Sequence, residues 1–453
     1  MSDYQSALSA LYRLESFGMR LGLENVEDYC AAAGHPEGAW PAFHVAGTNG
    51  KGTTASCLAA LARAHGLRTG LYTSPHLVDL RERIRIDGQA IPEAALVSAW
   101  DRVGPFAEER AMTFFEAGTL IAFEWFAAAK VDVAVLEVGL GGRLDATNVV
   151  QPEMAIVTNI ALEHERHLGR DLAAIAREKG GIFKRGVPAL VGEAGSGETR
   201  AALAESAAAR GASIAWLEEE ARWQVCSAAA CATAFDYESE MGRLDGLSLP
   251  LAGEVFVADA ALALRAWERT RGRLDVTTAR AALSRAAPPG RMEWRTVAGA
   301  PILLDVAHNP VAIERLVSTA ARVAPARWTF VAGILADKRW EEMLDALLAL
   351  APRGRLCALE TAGPDRRLTS DVATPGLAVR PGVEWARSVE EGLGAARSEV
   401  AAGEADAILV TGSFYTVGEA LVALAMAEPG RPYESAPREM PAIGVAMATG
   451  GRV

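Results

Sequence analysis

The chain alternates short apolar runs with longer segments whose apolar residues recur at helical spacing. Residues 41–47 (PAFHVAG) form a short apolar run that ends in glycine, and an Ala-rich stretch of helical period follows from Thr53 to His65. RTGLYTS then reads as a strand, and PEAALVSAWDRV and FFEAGTLIAFEWFAAA read as helices. VDVAVLEVGL and EMAIVTNI are apolar and rich in β-branched residues, as expected of strands buried on both faces. DLAAIAREKGGIF reads as a helix that stops at a glycine pair. Strands separated by helices predict an α/β fold, a mainly parallel sheet with helices on both faces.

Residues 213–250 are less regular and predict a small β insertion. AAPPGRMEW (286–294), with two prolines and a glycine, interrupts the alternation and marks a domain boundary. Beyond it the βα pattern resumes, with PILLDVAHN, WTFVAGI, RLCALET and DAILVTGSF as strands and VAIERLVSTAARV as a helix. The expected organisation is a P-loop-type ATPase domain over 1–290, a smaller Rossmann-like α/β domain over 298–428 and a flexible tail over 429–453.

Half of the 453 residues are hydrophobic, so a large core is available. Nothing in the sequence is an apolar run of membrane-spanning length, and the first residues lack the apolar centre of a secretion signal. The net charge of −12 and the absence of a basic stripe argue against nucleic-acid binding. Five scattered cysteines with no CxxC pair read as reduced thiols of a cytoplasmic protein.

Chemistry concentrates where apolar runs end. GTNGKGTT (47–54) lies between a strand and a helix, where glycines turn the backbone tightly and the helix start favours anions. Lys51 is placed to reach outer phosphates, and Thr53 or Thr54 to touch a magnesium ion. The fit to GxxxxGK[ST] is partial, because Val45 stands at the first glycine and Gly52 follows the lysine. Glu137 ends the next apolar run and is positioned to hold magnesium directly or through water; Arg143 and Asp145 follow in a flexible loop. Glu163, His164 and His167 follow another strand, and Lys179, near a helix end, reads on its own as solvated or dipole-pairing. In LLDVAHNP, Asp305 ends a strand, His308 follows, and Asn309 ahead of Pro310 is a helix cap.

Taken together, HVAGTNGKGTT, YTSPHLVDLRERIRIDG, FFEAGTL, LEVGLGGRLDATNVV, EHERHLG, EKGGIFK, PGRMEW, LLDVAHNP and GILADK closely resemble the folylpolyglutamate synthase and dihydrofolate synthase family of the Mur ligase superfamily. The resemblance implies ATP bound through Asn49, Gly50, Lys51 and Gly52, and an acyl phosphate attacked by the amine of L-glutamate. It implies one magnesium ion on Ser74 and Glu137 and a second near His164, which moves the metal contact away from Thr53. It also implies a carbamylated Lys179, nucleotide contacts at Asp259, Arg291 and Asp305 that place ATP between the domains, and His308 near substrate. Thr113, Phe114, Phe115, Leu144 and Asp145 fall where the family binds the pterin.

Two positions depart from the family pattern: Asp259 replaces an asparagine, and Glu163 replaces an aspartate. Arg20 stands where some bifunctional members carry an acid, which leans toward polyglutamation. The expected partners are small molecules (ATP, L-glutamate, and folate or dihydropteroate), with a monomeric chain and no membrane. A cell-wall Mur ligase fits less well, because only about forty residues precede the phosphate loop, too few for a further domain. The loop also reads GKGT where wall ligases resemble GKTT. A non-ligating nucleotide switch leaves DVAHNP unexplained.

Overall fold

A computed structural model describes residues 3–427 except 19, 196, 325, 364 and 365. The tail expected over 429–453 lies outside the described residues. The chain divides into two compact units: Met1–Cys226, Ala234–Leu249 and Glu254–Ala287 form the first, and Ser227–Thr233, Pro250–Gly253 and Pro288–Val453 form the second.

The first unit is built on eight strands: β1 (Ala42–Ala46), β2 (Thr69–Tyr72), β3 (Ile84–Ile86), β4 (Gln89–Ala90), β5 (Val133–Glu137), β6 (Met154–Asn159), β7 (Pro188–Glu193) and β8 (Ser213–Trp216). Their order is β4-β3-β2-β5-β1-β6-β7-β8. The pairings from β2 through β8 are parallel, whereas β2–β3 and β3–β4 are antiparallel. This antiparallel edge departs from the helix-separated pattern because DLRERIRIDG folds back after a short 3₁₀ turn instead of through a crossover helix. Every residue of β1 and β5 is buried, as expected of central strands that are apolar but for His44 and Glu137.

The helix after β1 runs Lys51–Ala64, and Cys57, Leu58 and Leu61 on it are wholly buried. Each buried leucine contributes roughly 1.5–3 kcal/mol relative to exposure. The helix Phe114–Ala129 starts at a capping box: Thr113 Oγ1 accepts the Glu116 N–H, and Glu116 accepts the Thr113 N–H. Of the 213–250 region expected as a small β insertion, Ser213–Trp216 instead joins the large sheet as β8, and the small sheet starts later, with β9 (Ala221–Ala229), β10 (Ala232–Ser239) and β11 (Gly242–Leu249) ordered β11-β10-β9.

The second unit carries a six-stranded sheet of order β12-β13-β17-β14-β15-β16. Its strands are β12 (Glu293–Val297), β13 (Ala300–Leu304), β14 (Trp328–Ala332), β15 (Gly354–Cys357), β16 (Val383–Ala386) and β17 (Ala407–Thr411). All pairings are parallel except the β12–β13 hairpin. Among the described residues, no helix is long and apolar enough to cross a membrane.

Candidate active site

β1, the centre of the large sheet, lies between β5 and β6, so the loops leaving their carboxyl ends are neighbours. The loop after β1 is fastened to the end of β6. Thr48 N–H donates to the Asn159 carbonyl at 3.0 Å, and Asn49 N–H donates to Asn159 Oδ1 at 2.9 Å. The Asn49 carbonyl accepts from Thr158 Oγ1 and Asn159 Nδ2 at 2.6 and 3.0 Å. Thr158 and Asn159 were missed in the sequence; their signal was a pair of polar residues closing an apolar strand.

Glycine is required twice in this loop. Gly50 has φ +83° where the helix begins, and a Cβ there would collide with the Asp259 carboxylate. At Gly47, a Cβ would strike the Thr158 hydroxyl. Asp259 is therefore brought against the phosphate loop, and it is buried there.

Lys51 Nζ donates to the carbonyls of Gly47 and Thr48, both at 3.1 Å. Lys179 Nζ donates to the same Gly47 carbonyl at 2.8 Å. Lys179 is only 4% exposed, which overturns its reading as a solvated helix-end lysine. The helix Leu172–Lys179 presses its last residue against the loop instead of releasing it to water. Burial lowers its pKa to about 7, with the Lys51 charge acting in the same direction and Glu163 and Asp145 opposing.

Glu137 ends β5 in register with Val45 and is buried. Its Oε2 accepts the Ser74 N–H at 3.0 Å, so the two expected metal ligands lie side by side. The helical position facing the carboxylate is Gly52, where a Cβ would be 3.7 Å from both oxygens. Thr53 is buried in the helix. His164 sits at φ +51°, half-buried, with Nε2 3.8 Å from Glu163 Oε1. His167 is exposed. Among the described residues, no three His, Cys, Asp or Glu side chains gather as a metal cluster, Cys226 and Cys231 included. Glu137 and Ser74 are hard oxygen donors, which suits magnesium held chiefly by its own waters and by phosphate oxygens.

The loop after Glu137 is organised by Asp145. Its Oδ2 accepts the N–H groups of Gly139 and Leu140, both at 2.9 Å, and its Oδ1 accepts Thr147 N–H at 3.0 Å and Thr147 Oγ1–H at 2.5 Å. Burial raises its pKa against the pull of these donors. Leu144 is half-buried on the same loop. The Phe115 ring covers Gly139, leaving no space for a Cβ. Phe114 stacks on Tyr12 at 5.4 Å and carries the Arg83 guanidinium over its ring at 5.2 Å. Thr113 serves its capping box.

In the second unit Asp305 is buried at the end of β13 and accepts the N–H groups of Met292 and Ala307, both at 2.9 Å. Burial raises its pKa, and the nearby Arg291 opposes the rise. His308 Nδ1–H donates to the Val306 carbonyl at 2.9 Å. Phe414, missed in the sequence, lies 5.5 Å from the His308 ring and beneath the Arg291 guanidinium. Asn309 caps the helix beginning at Pro310, as expected.

Comparison with known proteins fits this arrangement. Residues 45–266 match the Mur ligase middle domain and residues 290–414 the Mur ligase glutamate ligase domain, which makes the chain a Mur-type ligase, an ATP-dependent enzyme forming C–N bonds. It is 37% identical over 424 residues to the dihydrofolate synthase/folylpolyglutamate synthase of Escherichia coli, covering 93% of this chain and 95% of that one. It is 36% identical to the folylpolyglutamate synthase of Lacticaseibacillus casei, over 70% of this chain and 76% of the relative. The solved Mycobacterium tuberculosis folylpolyglutamate synthase complexed with ADP superposes with a TM-score of 0.84 at 31% identity, covering 94% of this chain and 99% of that one. A bifunctional folylpolyglutamate synthase/dihydrofolate synthase structure with Mn, AMPPNP and L-glutamate bound gives 0.81 at 34% identity, over 93% and 99% of the two chains. The chain belongs to the folylpolyglutamate synthase/dihydrofolate synthase family.

Proposed function

We propose that this chain uses ATP to join L-glutamate to the carboxylate of a folate or dihydropteroate. One observation carries the reading: the lysine-bearing phosphate loop and the buried Glu137 carboxylate meet at one edge of one sheet. The acceptor carboxylate attacks the γ-phosphorus of ATP and displaces ADP, giving an acyl phosphate. The glutamate amine then attacks the carbonyl carbon, loses a proton and expels phosphate. Lys51 offsets the mutual repulsion of carboxylate and phosphate, and the loop N–H groups orient the phosphates. Glu137 and Ser74 would hold a divalent cation, with His164 near a second; such a cation would neutralise phosphoryl charge. Lys179, buried with its pKa near 7, supplies the neutral amine that carbon dioxide converts to a carbamate. The carbamate replaces a buried cation beside Lys51 by an anion, which relieves that repulsion. In the second unit Arg291 and Asp305 contact nucleotide and His308 contacts substrate.

The purified chain is expected to release phosphate only when ATP, L-glutamate and a pterin acceptor are all present. Running dihydropteroate against tetrahydrofolate assigns the acceptor. No turnover with either would sink the reading. Lys51→Ala is expected to lose phosphate release altogether.

A further inference from the structure

His44, on β1, is fully buried, and its Nε2 lies 2.8 Å from Thr147 Oγ1. The Thr147 hydroxyl has one proton, and it is directed at Asp145 Oδ1. Three backbone N–H groups also point at the Asp145 carboxylate, which makes that group the acceptor. His44 Nε2 must therefore donate. Its Nδ1 has no hydrogen-bond partner among the described residues, so a second proton there would be unsupported. Burial accordingly depresses the imidazole pKa to about 3, assisted by the Lys184 charge. The result is one directed chain of hydrogen bonds: His44 to Thr147, Thr147 to Asp145, and the two N–H groups of Gly139 and Leu140 onto the far oxygen of Asp145. Gly139 lies two residues beyond Glu137 and under the Phe115 ring.

We propose that His44 and Thr147 are positioning residues for the acceptor: their fixed donor direction orients Asp145, which in turn sets the Gly139–Leu140 backbone against which the acceptor is held. The proposal rests on the proposed function and on the pterin acceptor lying beside Asp145, where the resemblance to the folylpolyglutamate synthase family implies it. Neither residue touches a reacting atom, and both act through Asp145. Thr147→Val keeps shape and removes the link, whereas Thr147→Ser keeps the hydroxyl.

The test is steady-state kinetics of the full chain with acceptor and ATP varied separately. Loss of a hydrogen bond to a charged group predicts that Thr147→Val raises KM for the acceptor about tenfold, with KM for ATP changed less than about twofold. Thr147→Ser is expected to recover most of that loss. His44→Phe is expected to reproduce the acceptor effect alone and to add nothing in the Thr147→Val background, because the two substitutions break the same link. An unchanged acceptor KM in Thr147→Val, equal losses in the Val and Ser variants, or additive His44 and Thr147 effects would each overturn the proposal. Asp145→Asn separates the two levels. If it raises acceptor KM while Thr147→Val does not, the relay fails and the site stands. If it also leaves acceptor KM unchanged, the placement of the acceptor itself is wrong.

Discussion

Lys51 and Lys179, far apart in sequence, donate to the same carbonyl oxygen, that of Gly47, at 3.1 and 2.8 Å. Two lysine amino groups converge on one acceptor in the phosphate loop. Burial and this proximity hold Lys179 near pKa 7 against an ordinary value of 10.5.

Because the folded pKa of Lys179 lies below the unfolded one, the unfolded chain binds more protons between about pH 7 and 10.5. Burying this lysine therefore opposes folding most below pH 7, and the penalty fades as pH rises through that window. Lys179→Met is expected to stabilise the ATP-free chain at pH 7 by on the order of 2 kcal/mol. It should also flatten the dependence of Tm on pH between 7 and 10 while removing ligase activity. Thermal melts across pH check the first part. A Tm lower than the parent's at pH 7 would show that the Gly47 contact outweighs desolvation.

The same neutral amine predicts a carbamate. With ¹³C-labelled bicarbonate, the chain is expected to give one carbamate carbonyl resonance that is absent from Lys179→Met. Activity should fall below pH 7, as protonation of the amine competes with carbamylation, and added bicarbonate should restore part of it. Activity unaffected by stripping carbon dioxide from the buffer would remove the carbamate from the mechanism.

Asp259 packs its carboxylate against Gly50, in the loop that the proposed function assigns to the nucleotide phosphates. Removing a like charge at such a distance is worth about 1 kcal/mol in a partly solvated site. Asp259→Asn is expected to lower KM for ATP about fivefold, with kcat little changed and the gain shrinking at high salt. Titration of ATP against each variant at two ionic strengths measures this. Weaker ATP binding by the Asn variant would mean that the carboxylate serves the nucleotide.

A Cβ added at Gly181 would collide with the Cβ, Cα and N of Arg143, none of which can swing aside. Gly181→Ala is expected to destabilise the first unit by roughly 1–3 kcal/mol through overpacking and to lower kcat as the two loops separate. Denaturant unfolding monitored with and without nucleotide reads both effects.

Much of this architecture was legible from local signals. The phosphate loop, Glu137 and Asp305 announce themselves because apolar β-branched runs end in glycines or acids, and Asn309–Pro310 because capping chemistry is confined to a few residues. Burial of Lys179 was invisible, since it arises from a helix end meeting Gly47 across a long sequence separation. So was the fastening of the loop by Thr158 and Asn159, which depends on β1 and β6 being neighbours. The antiparallel β3–β4 edge went unread because an Arg-rich segment lacks a hydrophobic alternation strong enough to declare a strand. Phe414 was passed over because an aromatic after a strand has no meaning until Arg291 and His308 are seen beside it.

The Gly141–Gly142 and Gly180–Gly181 pairs interlock. Arg143 N–H donates to the Glu178 carbonyl at 2.9 Å, and Asn148 Nδ2 bridges the carbonyls of Arg143 and Gly181 at 3.0 and 3.2 Å. The segments leading from Glu137 and from Lys179 are thus clasped by a main-chain bond and by the Asn148 amide, with glycines at the points of closest approach. Selection for a new acceptor has no foothold at that seam. Adapted descendants of this enzyme should carry their changes on the aromatic rim around Phe114 and leave the four glycines untouched.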